Sequence, residues 1–213
     1  MATSEVPQVC RRQLSAARQR DAEDRLADAM SASRASGMAG IEVRCERARR
    51  RLLSAARQRY AEDRLAEAVS AGARQVVVFG GALDTFASHN PYRNVPVFRL
   101  ADSDIETIAA AAGFDRRLPV FAVHLGGADR ALDAGLQVLQ RCSGGVEIVF
   151  DVGAERVGWV VGRLRDTGWV VLEELDSAGL ACRYLADAPG PSDSIEPRLV
   201  WARVGNNAGR LPN

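Results

Sequence analysis

The chain contains no lysine; all 28 of its basic residues are arginine, set against 27 acids for a formal charge of +1. Near-neutrality excludes a protein held to polyanions by bulk charge. Fifteen of the arginines fall within residues 1–75, but ten acids interleave with them there, the pattern of a solvated helix face and not of a phosphate-binding stripe. Nucleic acid is therefore not an expected partner. Histidine is limited to His89 and His124, and the four cysteines, Cys10, Cys45, Cys142 and Cys182, include no C-x-x-C pair. Such scattered ligands give a metal site no support, and reduced thiols in a cytosol are expected. No apolar run approaches the roughly 18 residues of a spanning helix, and the opening MATSEVPQVCRRQ lacks the basic-then-apolar order of a secretory leader. These absences point to a soluble cytoplasmic protein with no membrane partner.

What is present is globular in composition, with 47% hydrophobic and 26% charged residues across 213 positions, enough for one well-buried domain with an added helical segment. The plainest internal feature is a repeat. LSAARQRDAEDRLADAMSA, Leu14–Ala32, recurs as LSAARQRYAEDRLAEAVSA, Leu53–Ala71. Both copies are rich in Ala, Leu, Arg and Glu with apolar residues at helical spacing, so both read as amphipathic helices. The second copy runs through Gly72 straight into an apolar run, whereas the first is followed by SRASGMAG, a small-residue linker. The first copy also carries Asp21 where the second has Tyr60, which removes one of the larger apolar contacts. Residues 1–46 are accordingly expected to form a mobile helical appendage.

From residue 74 onward, apolar strand-like runs alternate with helical stretches. The runs are QVVVFG, PVFRL, PVFAVHL, VEIVFDV, WVVLEEL and RLVWARV; the helical stretches are Asp102–Ala112, Ala128–Arg141 and Ala154–Asp166. This alternation predicts an α/β domain with a mostly parallel sheet. Ligands of such sheets sit beyond the carboxyl ends of the strands, at the point where the strand order reverses. VVVFGGALDTFASHNPY, Val76–Tyr92, fits that position: a β-branched run stops at two glycines and is followed by Asp84-Thr85 and an Asn-Pro turn.

ARQRYAEDRLAEAVSAGARQVVVFGGALDTFA, with NPY following, resembles the leucine carboxyl methyltransferase type of class I S-adenosylmethionine-dependent methyltransferases. Relatives carry a loop close to LGAGLDT, where this chain has FGGALDT with one glycine moved. The likeness extends, with gaps, over most of residues 50–204. It implies a Rossmann-like sheet in the order 3-2-1-4-5-7-6 and S-adenosyl-L-methionine as cofactor. Gly80 and Gly81 would let the backbone approach the cofactor closely. Arg57 or Arg59 would pair with the carboxylate of its methionine part. Asp84, with Thr85, would hold either the loop or the ligand. Within this likeness, residues 47–204 are the methyltransferase-like domain and residues 205–213 a flexible tail.

Two departures from the family stand out. Relatives end the second strand close to FEVDHP, whose acid binds the ribose; here FRLADSD puts Ala101 at that place and leaves Asp102 as the candidate ribose partner. The chain then lacks several tens of residues that carry the third strand and an acidic loop against adenine. Because the third strand is an edge, the sheet is expected to survive its loss. After the fourth strand stands HLGGADRAL, where His124 is the candidate catalytic base toward a substrate oxygen. The expected function is methyl transfer from S-adenosylmethionine to a carboxylate or hydroxyl of a small molecule. The competing reading is a shortened paralogue that keeps the fold without methyl transfer, as a partner subunit or a non-methylating enzyme of secondary metabolism. Oligomeric state is left open by the sequence.

Overall fold

The computed structural model describes residues 38–79, 83, 90–101, 108, 111–126, 129–185 and 196–204. The first copy of the repeat, Leu14–Ala32, and the stretch 205–213 lie outside them. Contacts divide the chain into two units, one drawn from Met1–Arg59 and Ala178–Pro191 and the other from Tyr60–Ser177 and Ser192–Asn213.

Among the described residues there are four α-helices and six strands: α1 (Met38–Ala71), β1 (Gln75–Phe79), β2 (Val97–Leu100), β3 (Val120–His124), α2 (Asp129–Leu139), β4 (Val146–Val152), α3 (Val157–Asp166), β5 (Trp169–Leu175), α4 (Ser177–Tyr184) and β6 (Arg198–Val204). Every strand read from the sequence is found, and so are the helices expected in 128–141 and 154–166. The second repeat is helical, but its helix begins at Met38, so the boundary drawn at residue 46 falls inside one continuous helix and the last residues of SRASGMAG belong to it. In the first unit, Leu53 of α1 and Leu180 of α4 are both buried.

The end of α1 has a clear local cause. Gly72 takes φ +114, a conformation that costs a side-chain-bearing residue about 1–2 kcal/mol. Its N–H donates to the Val69 carbonyl at 3.2 Å, and the Ala73 N–H donates to the Ala68 carbonyl at 2.8 Å. This pair of bonds is the Schellman arrangement, which satisfies the last carbonyls and turns the chain into β1.

The sheet of the second unit has the order β2-β1-β3-β4-β6-β5. Strands β2, β1, β3 and β4 are mutually parallel, and β6 lies antiparallel to both β4 and β5. Deleting the third strand from the order 3-2-1-4-5-7-6 and renumbering yields this arrangement. Among the described residues the sheet therefore has the Rossmann-like order expected from the sequence, without a strand beyond β2.

β1 and β3 are buried at every position, as parallel strands covered on both faces must be. On one face Val77, Phe79, Ala122, Ile148, Phe150, Val200 and Ala202 join Leu132, Leu139, Val160 and Leu164 of α2 and α3 in a single core. On the other, the second half of α1 reaches the antiparallel strands. Tyr60 Oη donates to Glu173 Oε2 at 2.6 Å, and the Arg64 guanidinium lies over the Trp201 ring at 4.8 Å. Tyr60 is 1% exposed. One polar side chain enters the centre at a satisfied cost: Gln75, wholly buried, donates to the Asp115 carbonyl at 2.7 Å and accepts from its N–H at 2.8 Å.

Candidate functional site

The strand order reverses between β1 and β3, so a crevice is expected beyond their carboxyl ends. The register fixes what lies beneath it. Leu100 of β2 stands beside Phe79 of β1, Phe79 beside His124 of β3, His124 beside Phe150 of β4, and Phe150 beside Val200 of β6. No member of this row is more than 9% exposed. The Phe79 and His124 rings are 6.1 Å apart and tilted by 53°. The row is a buried aromatic and aliphatic floor, and His124 is part of it at 1% exposure.

Above the floor the chain turns sharply at two described points. Leu83, in the loop after β1, is 3% exposed and has φ +52, the only left-handed non-glycine backbone among the described residues. A leucine held there costs about 1–2 kcal/mol. The second point is Gly126, after β3, with φ +70; its N–H donates to Asp151 Oδ1 of β4 at 2.8 Å. Two neighbouring strand ends are thereby tied together across the mouth. On the β2 side, the Asn-Pro turn is organised by Asn90, whose amide donates to the Tyr92 and Val95 carbonyls at 3.1 and 2.8 Å and accepts from the Tyr92 N–H at 2.9 Å.

Of the residues singled out in the sequence, His124 lies at the end of β3 in the floor. Arg57 and Arg59 lie on α1; Arg57 is 9% exposed, rare for a guanidinium, whereas Arg59 is half-buried. Gly80, Gly81, Asp84 and Asp102 lie outside the described residues. The structure adds Leu83 and Asp151, which sequence reasoning passed over. A signal existed for Asp151: it is the second of two acids in VEIVFDV, and it stands next to the carboxyl end of that run. Cys45, Cys142 and Cys182 are free thiols, and burial raises the Cys142 thiol above its usual range against an opposing pull from the Arg116 charge. Among the described residues no helix is long and apolar enough to cross a membrane.

Residues 6–100 match the family model of leucine carboxyl methyltransferase. The match ends at Leu100, the last residue of β2, and begins inside the stretch read as an appendage. No curated protein sequence matches the chain. Among solved structures, one assigned as a sarcosine dimethylglycine methyltransferase from Galdieria sulphuraria is similar at 10% identity, over 70% of this chain and 85% of that one, with a TM-score of 0.34.

Proposed function

Starting from the leucine carboxyl methyltransferase match of residues 6–100, we propose that the chain is an S-adenosylmethionine-dependent methyltransferase acting on an oxygen of a small molecule. The observation that carries this reading is the coincidence of that match with a sheet that reverses between β1 and β3, under a β1 loop forced into a left-handed turn at Leu83. A left-handed turn at a buried leucine marks a special backbone conformation in the loop after β1, the kind of position where ligand-binding loops are found. Gly80 and Gly81 then hold the amino-acid part of the cofactor, with Asp84 bracing the loop. Asp102 takes the ribose, and Arg57 or Arg59 is the family's arginine for the carboxylate.

When bound, the cofactor supplies an electrophilic methyl on sulfur. The protein's own work is mostly alignment of the acceptor oxygen and exclusion of water, so strong acid–base groups are not required. His124 fits two roles that experiment separates. As a base toward the acceptor, its replacement by Asn lowers kcat and leaves cofactor affinity intact; as a floor residue, the same change lowers stability first. With only 1% of the residue exposed, the ring acts on an acceptor only if the floor opens.

The exposed β2 edge favours a second reading, a paralogue that keeps the fold without the reaction, because the strand and acidic loop that would complete the nucleoside side are missing. Calorimetry with S-adenosylmethionine decides between them. A Kd tighter than about 100 μM, that is, binding stronger than about 5.5 kcal/mol, abolished by Gly80→Val, supports the methyltransferase. Absence of heat and of thermal shift at millimolar cofactor supports the paralogue.

A further inference from the structure

Building on the placement of the cofactor at the β1 and β2 ends, we propose that Asp151 determines acceptor specificity, favouring hydroxyl-bearing acceptors over carboxylates. The strand order leaves one place for an acceptor. If the cofactor occupies the loops after β1 and β2, the ground beyond the switch point belongs to the ends of β3 and β4.

Asp151 stands at that end, half-buried, one residue beyond Phe150 of the floor. Its Oδ1 is committed to the Gly126 N–H at 2.8 Å, and among the described residues Oδ2 has no hydrogen-bond partner. The first bond fixes the side chain; the second oxygen is left with acceptor capacity. The cation nearest in sequence is engaged elsewhere: Arg156 pairs with Asp133 at 3.5 Å and covers the Trp159 ring at 5.1 Å. Glu155, next to it, adds a second negative charge and is exposed.

A carboxylate fixed at the end of β4 accepts a hydrogen bond from a hydroxyl and repels a second carboxylate. The hydroxyl oxygen gains the methyl as the carbon–sulfur bond breaks and the sulfonium becomes a neutral thioether, while the hydroxyl proton leaves to water. Atoms and charge balance without any further reactant.

The test uses the full chain and two probes that differ only in the acceptor group, 4-methylphenol and 4-methylbenzoate. Binding of each is measured by calorimetry and methyl transfer to each by label from S-adenosylmethionine. Asp151→Asn retains an oxygen for the Gly126 N–H and removes only the charge, so the loop is expected to hold and the melting temperature to stay within a few degrees. The wild type is expected to prefer the phenol at least tenfold, and Asp151→Asn to narrow that preference about tenfold, chiefly by tightening benzoate binding, with cofactor Kd unchanged. Asp151→Glu should restore the preference. Equal use of both probes by the wild type, an Asn variant that moves both equally or neither, or a chain that binds cofactor but neither probe overturns the assignment of Asp151 while leaving the methyltransferase reading standing. Loss of cofactor binding in the wild type removes both.

Discussion

β1 and β2 are paired neighbours, yet they differ in almost everything that sustains a strand. β1 is buried at all five positions, whereas β2 has four residues of which only Leu100 is buried. Phe98, half-buried, packs edge-on against Phe114 at 5.3 Å, and Arg99 is exposed. The difference separates two properties that usually travel together. Sheet stability is concentrated in β1, β3 and β4, which the missing strand never touched. Under the proposed function, cofactor affinity would draw on the flank beyond β2, just past the point where the family match ends.

Breaking the centre should therefore have the largest effect. Val78→Asp puts a charge at a position with no exposure. Its desolvation costs several kcal/mol against a total stability on the order of 5–15 kcal/mol; circular dichroism and soluble yield are expected to show no folded product. Gln75→Ala comes next. It leaves the Asp115 N–H and carbonyl without their partner, for an expected loss of about 2–4 kcal/mol in urea unfolding.

Phe98→Ala sharpens the contrast from the other side. A half-buried ring on an edge should cost only about 1–2 kcal/mol in urea unfolding, below the usual 3–5 for a core phenylalanine. A change in stability as large as that of a central substitution would show that β2 is not the lesser strand. The smallest effect concerns Cys142. Its thiol is raised by burial, so the folded chain keeps a proton that the unfolded chain releases near pH 8.5. Stability is full below that pH and declines as pH rises above it. The expected decline is slight and absent in Cys142→Ala, and alkylation at pH 8 should modify exposed Cys182 well before Cys142.

Most of the sheet was legible in the sequence because its signals are local. QVVVF and PVFAVH are unbroken runs bounded by glycine, proline or charge, and parallel strands buried on both faces must look that way. α4, by contrast, was not singled out: SAGLACRY is eight residues long and carries one buried side chain, Leu180. The site was less legible because its geometry is made between strands. That Asp151 would meet the N–H of Gly126, 25 positions earlier, follows from the β3–β4 register, which no stretch of either strand encodes alone. His124 shows the same limit. Its position at the end of β3 could be read, but its burial comes from Phe79 and Phe150 on either side. Leu83 gave no warning at all, since leucine is not a residue expected at positive φ.

The place of β6 has a consequence for how the molecule is made. Among the described residues it is the last strand in chain order, yet it fills the gap between β4 and β5 rather than adding to a border. During synthesis β1 through β4 can assemble as they emerge, but β5 has no neighbour until residues 198–204 have left the ribosome. A nascent chain halted before Arg198 would leave open the two borders that β6 closes in the finished sheet, one on β4 and one on β5, for pairing with other chains. Completion of the sheet is thus deferred to its final seven-residue strand.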